Sequence, residues 1–128
     1  MGTMPKPTPS ELEILDILWE KRKATVAELH NVMNKRRPTT YTTVLKFMQI
    51  MHEKGLLDRE QSGRAHIYRP AITQRQTQKN LVTDLLDKAF RGSALKLVQH
   101  VLETKPATQE ELAEIRRLIT QAEAKTKK

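Results

Sequence analysis

Apolar residues recur at helical spacing in six stretches of the chain, and between the third and fourth the spacing changes to alternation. Thr8-Pro9-Ser10-Glu11 opens the first stretch with a threonine N-cap, a proline at the first helical position and a glutamate three residues after the cap. A helix to about Glu20 follows, with Leu12, Leu15, Ile17, Leu18 and Trp19 on its buried stripe; Trp19, the only tryptophan, reads as a core anchor. Thr25-Val26-Ala27-Glu28 repeats the capping pattern and opens a second helix through about Asn34, with Val26, Leu29, Val32 and Met33 turned inward. A third helix runs from Pro38, placed in its first turn, to Gly55, which stops it. Tyr41, Val44, Leu45, Met48 and Met51 form its packing side, and Thr39, Thr42, Thr43, Lys46 and Gln49 fall opposite.

After Gly55, Leu56 to Gln61 and Ala65 to Arg69 alternate around Ser62-Gly63-Arg64, a glycine-containing connection of hairpin length. Three helices followed by a hairpin is the layout of a winged helix-turn-helix, with the third helix suited to the major groove and the hairpin as the wing. Beyond Pro70, Thr73 to Gln76 caps a fourth helix carrying Leu81, Val82, Leu85, Leu86, Ala89 and Phe90. A fifth starts at Ser93 and carries Leu95, Leu97, Val98, Val101 and Leu102; a sixth follows one more capping box, Thr108-Gln109-Glu110-Glu111, with Leu112, Ile115, Leu118 and Ile119. These last helices have more apolar surface than a segment of some fifty residues can enclose alone. Pairing with a second copy in a two-fold dimer resolves this, with Leu81, Leu85, Phe90, Leu97, Val101, Leu112, Ile115 and Ile119 as the contact set. Folding back on the winged helix as a monomer is the alternative. The expected fold is mainly α with a small β hairpin: a winged-helix domain over 8–72 and a helical dimerisation domain over 73–125. Residues 1–7 should be loose, and Lys125 to Lys128 should fray.

Charge sharpens this picture. The 128 residues carry 23 Lys and Arg against 15 Asp and Glu, a net of +8, which favours an anionic partner such as nucleic acid or an anionic membrane surface. The excess is spread over both halves, but between Lys21 and Lys46 seven basic residues face the single acid Glu28. Lys35-Arg36-Arg37 fills the join before the third helix, where it serves equally as a phosphate clamp or a solvated loop. Four threonines within Thr39 to Thr43 are middling helix formers, so the run suggests use: short hydroxyl side chains let a backbone approach a groove floor. Phosphate contacts then fall to Lys35, Arg36, Arg37, Lys46 and Arg64, and base discrimination to the threonine face. A winged helix acting as a protein-interaction module, its basic surface incidental, is the competing reading.

An enzyme finds little support. With no cysteine, thiol catalysis and thiolate zinc sites are excluded. His30, His52, His66 and His100 are scattered, His52-Glu53 lacks the second histidine of a zinc-protease motif, and no glycine-rich phosphate loop occurs, so no cofactor or metal is expected. No apolar run approaches the roughly 20 residues that cross a bilayer, and Met1 to Pro9 has no hydrophobic signal core. A soluble, cytoplasmic protein without membrane insertion is expected.

Leu12-x-Ile14-Leu15-x-x-Leu18-Trp19, Thr25-Val26-x-Glu28-Leu29, Tyr41-Thr42-Thr43-Val44-Leu45, Lys54-Gly55-Leu56-Leu57 and Gly63-Arg64-Ala65-x-x-Tyr68-x-Pro70 stand in an order that resembles the BlaI/MecI penicillinase-repressor family, over roughly residues 8–122. Glu111-Leu112-x-Glu114-Ile115-x-x-Leu118-Ile119 is similar to that family's last dimerisation helix. The resemblance implies a homodimeric bacterial repressor on a palindromic double-stranded DNA operator, controlling a resistance or stress operon. It places the recognition role on Thr39, Thr40, Thr42, Thr43 and Lys46, the wing role on Gly63, Arg64 and His66, and packing on Tyr41. It also implies a membrane sensor protease as inducer, one that cuts an Asn-Phe bond in antibiotic-responsive members. This chain has no Asn-Phe; Gln99-His100-Val101 stands near that place. Copper-responsive relatives release DNA through a cysteine-rich tail, and with no cysteine in this sequence that mechanism is not expected.

Overall fold

The structure, a computed structural model, describes residues 6–127, in the order α1 Pro9–Lys21, α2 Val26–Arg36, α3 Tyr41–Glu53, β1 Leu57–Ser62, β2 Ala65–Pro70, α4 Gln74–Ala89, α5 Ala94–Thr104 and α6 Gln109–Thr126. This is a winged helix-turn-helix followed by helices, as the periodicity predicts. The loose ends expected at residues 1–5 and Lys128 lie outside the described residues, and α6 stays helical to Thr126.

The capping boxes expected at Thr8 and Thr25 form, while of the one expected at Thr108-Gln109-Glu110-Glu111 only the Thr108 half is made. Glu11 N–H donates to the Thr8 hydroxyl at 3.2 Å while the Glu11 carboxylate accepts from Thr8 N–H at 2.9 Å, and Thr25 and Glu28 repeat the exchange at 3.2 and 2.8 Å. Each box satisfies N–H groups that a helix start leaves open. Ile14, Leu15, Ile17 and Leu18 of α1, Val26, Leu29 and Met33 of α2, and Val44, Met48 and Met51 of α3 close one core, joined by Ala24, Leu56, Leu57, Tyr68 and Ile72. Leu12 is only half-buried, and Ile14, quoted in the motif but left off the expected stripe, takes its place. Trp19 packs against this core, and its indole N–H donates to the Ile72 carbonyl at 2.9 Å, tying α1 to the end of the wing.

The hairpin is antiparallel with Leu57 opposite Pro70 and Ser62 opposite Ala65, leaving Gly63 and Arg64 as its two-residue turn. Gly63 has φ +63°, the left-handed start that a tight hairpin requires. A further pairing is absent from the periodicity: Ala24 and Tyr68 exchange backbone hydrogen bonds of 2.9 and 2.8 Å, so the α1–α2 connection adds a short third rung to the wing. Arg22, at φ 78°, turns the chain into that pairing. One buried ion pair fastens the ends of two helices. Lys54 Nζ, just past α3, donates to both oxygens of Glu11 at 2.7 and 2.9 Å, and Glu11 is 3% exposed. Burial pushes the Glu11 carboxyl up, but the Lys54 and Thr8 hydrogen bonds outweigh it and hold the group below its usual range.

The chain divides into two compact units after Thr83, within α4. In the second unit no residue of α5 or α6 is buried. Leu85, Leu95, Val98, Val101, Leu102, Leu118 and Ile119 are exposed, and Phe90, Leu97, Leu112 and Ile115 are half-buried. Leu81, in the first unit, is half-buried as well. Thr73, Ser93 and Thr108 each cap the following helix through their side-chain oxygen. Among the described residues no helix is long and apolar enough to cross a membrane.

Candidate nucleic-acid interface

The third helix begins later than its proline suggests. Thr40 is the N-cap, its hydroxyl oxygen accepting from Thr43 N–H at 3.1 Å, so Pro38 lies outside α3. Pro38 acts backwards instead. A residue before proline is driven to extended backbone, and Arg37 sits at φ −163°, ψ 151°, which ends α2. Lys35 and Arg36 therefore belong to the last turn of α2 rather than to a free join, where their charge also complements the helix dipole.

The turn between α2 and α3 is tied down by side chains. Asn34 Oδ1 accepts from Thr39 N–H at 2.9 Å, the Thr39 hydroxyl donates to the Arg37 carbonyl at 2.9 Å, and His30 Nε2 lies 2.6 Å from the Thr39 carbonyl. Because a carbonyl only accepts, the histidine carries its proton on Nε2 there. At the other end Gly55, at φ +85°, lets Leu56 N–H reach back to the Met51 carbonyl at 2.9 Å. The recognition helix thus has fixed ends and a buried face of Val44, Met48 and Met51.

Its outer face carries Thr42, Thr43, Lys46 and Gln49, all exposed. The side chains of Thr42 and Lys46 make no hydrogen bond or ion pair with another described residue. The Thr43 hydroxyl accepts from the Thr40 hydroxyl at 2.8 Å, which leaves the Thr43 proton available outward. Thr40 is occupied as a cap, and Thr39 is half-buried in the turn. The five nominated positions therefore divide into two that build the helix start and three that face out. Tyr41 departs from expectation: it is 48% exposed, because the first turn of α3 projects past the core, and its ring meets His30 edge-on with centroids 6.0 Å apart.

Arg36 and Arg37 converge on one carboxylate. Arg36 Nη1 lies 3.2 Å from Glu13 Oε2 and Arg37 Nη2 lies 2.6 Å from Glu13 Oε1. Burial raises the Glu13 carboxyl, yet hydrogen bonds from Arg37 and then Arg36 outweigh that and keep it below its usual range. Lys35 stays exposed. On the wing, Arg64 is exposed at the tip, while His66 is half-buried with its ring edge-on to Tyr68 at 6.3 Å. Sequence reasoning missed the parts played by Glu13, His30 and Asn34. Only Asn34, five residues before its partner, carries a local signal, since asparagine readily bonds nearby backbone.

Three core-forming helices, a short turn before an outward-facing third helix, and a hairpin wing make this first unit a winged-helix DNA-binding module of the kind found in transcriptional regulators. The family model described as penicillinase repressor matches residues 7–121, and the chain belongs to that family. The transcriptional regulator BlaI of Mycobacterium tuberculosis is 30% identical over 116 residues, covering 89% of this chain and 83% of that protein. The methicillin resistance regulatory protein MecI of Mammaliicoccus sciuri is 20% identical over 110 residues, covering 86% of this chain and 89% of MecI. Among solved structures, the Bacillus licheniformis BlaI monomeric form in complex with the blaP half-operator superposes with a TM-score of 0.51 at 22% identity, covering 59% of this chain and 93% of that one. The relatives are named as regulators, not enzymes.

Proposed function

We propose that this chain is a DNA-binding transcriptional repressor that occupies a palindromic operator as a homodimer in the cytoplasm and controls a resistance or stress operon. The observation that carries the reading is the outer face of α3, where exposed Thr42, Thr43 and Lys46 stand on a helix whose opposite face is buried in the core. In this reading Thr42, Thr43 and Lys46 meet base edges and phosphates, while Thr39 and Thr40 set the helix start. Lys35, Arg36, Arg37 and the wing residues Arg64 and His66 supply phosphate contacts, with His66 the least exposed of them.

Residues 8–72 form the reading domain and 73–125 the dimerisation domain. The exposed apolar positions of α4 to α6, Leu85, Val101 and Ile119 among them, support a second copy as their cover. A membrane sensor protease is the inducer that the family resemblance suggests, but this chain lacks the Asn-Phe bond that such proteases cut in the antibiotic-responsive members, which argues against the same proteolytic release here.

Fluorescence anisotropy with a duplex from the promoter of its own operon tests the reading. Affinity for that duplex should exceed that for a scrambled one by about a thousandfold or more, and should fall steeply with salt. Equal affinity for both duplexes would remove the repressor reading.

A further inference from the structure

Glu13 is an acid placed among the cations of the interface, and its contacts argue for a task beyond holding the fold. It stands on α1 between Leu12 and the fully buried Ile14, so its backbone is held by the core, and its side chain is 18% exposed. Arg36 is the last residue of α2 and Arg37 is its extended C-cap, so the backbone directs two successive side chains differently. Glu13 gathers them again, one carboxylate oxygen to each guanidinium, across 23 and 24 residues of sequence.

We infer that Glu13 is a positioning residue for phosphate binding, holding Arg36 and Arg37 as a paired clamp at the entrance to the recognition helix. This rests on the DNA-binding reading above. The arithmetic of donors favours it: each guanidinium has five N–H groups, and Glu13 engages one nitrogen of each. The arginine side chains remain 46% and 61% exposed, so their other donors face solvent, where a phosphate can take two at once. Two cations and one anion leave the cluster positive. An arginine already confined to one arrangement has less side-chain freedom to lose when it meets a phosphate. The opposite role, a carboxylate that occupies the arginines and competes with DNA, predicts the reverse sign.

The test uses the full chain, with Glu13→Gln, the Arg36→Ala/Arg37→Ala double variant and the triple combination. Affinity for the promoter duplex and for a scrambled duplex is measured across a salt series. Glu13→Gln should weaken both by a similar factor, leave their ratio unchanged, and make the plot of log affinity against log salt shallower by about one to two units, the share of one or two phosphate contacts. Added to the double arginine variant, it should change affinity no further. Equal or tighter binding by Glu13→Gln, with an unchanged or steeper slope, overturns the inference, as does a further loss in the double-variant background, which would trace the effect to folding. If the unaltered chain binds no duplex even at low salt, the DNA-binding reading falls and this inference with it. If it binds and Glu13→Gln binds as well, only the inference falls.

Discussion

Single side chains divide the labour at the interface in a way that composition alone does not show. Thr40 and Thr43 sit three apart and share a hydrogen bond, yet Thr40 closes the helix end while Thr43 keeps an outward proton. Lys46, one turn further on, is exposed and unpaired among the described residues. Thr43→Ala and Lys46→Ala should each weaken operator binding, by about 1–3 kcal/mol where the side chain meets a base edge. Both should leave thermal stability and sedimentation unchanged, because neither touches the core. A band-shift series beside sedimentation checks this, and loss of assembly in either variant would contradict it. The threonine run drew notice in the sequence as a β-branched cluster in a helix, but only Thr42 and Thr43 lie inside α3; Thr39 stands in the turn and Thr40 at the N-cap, where threonine is favoured. The Glu13 contact was not legible, since partners 23 residues apart follow no local spacing rule. Tyr41 misled because helical periodicity reports a side of the helix and not how far along its axis the core extends.

Among the elements, the helix starts marked by a threonine and a glutamate were the most legible, whereas the start of α3, assigned to Pro38, lies at Thr40. Thr8 with Glu11 and Thr25 with Glu28 carry their signal within four residues, and both caps formed as expected. The end of α2 depends on Pro38 acting through Arg37, and the Ala24 rung against Tyr68 depends on a wing 44 residues downstream, so neither is visible in a local window. The tie between α1 and α3 has a consequence that can be measured. Glu11 is lowered from 4.5 although burial opposes this, through Lys54 first and Thr8 next; Glu13 is lowered likewise against burial by Arg37 and Arg36. A carboxylate depressed in the folded state contributes stability that is present above its unfolded pKa and lost as pH falls through the folded value. The share of the winged helix's stability that these two glutamates contribute should therefore be present above about pH 4.5 and lost below it, as they protonate. Lys54→Ala leaves the Glu11 carboxylate buried without its cation. It should cost about 2 kcal/mol at neutral pH, less than a fully buried pair because Lys54 is 33% exposed, and much less near pH 3. Denaturant unfolding at both pH values measures the two; a penalty independent of pH would place the loss elsewhere.

For the molecule as a whole, the contrast between its parts is the informative feature. Every buried hydrophobic residue of the described chain lies between Ile14 and Ile72, while α5 and α6 bury none. Their exposed leucines, valines and isoleucines argue for a cover, and the proposed second copy would supply one with the symmetry that a palindromic operator needs. Helical spacing alone makes this surplus readable, since one segment holds more apolar positions than it can enclose. The central claim, a two-fold dimer that reads DNA with α3, is tested most directly by hydroxyl-radical footprinting on the promoter of its own operon. Two protected patches related by a two-fold axis, with centres a whole number of turns apart at roughly 10 base pairs per turn, are the predicted result. A single unsymmetrical patch, or protection spread evenly along the duplex, would contradict it.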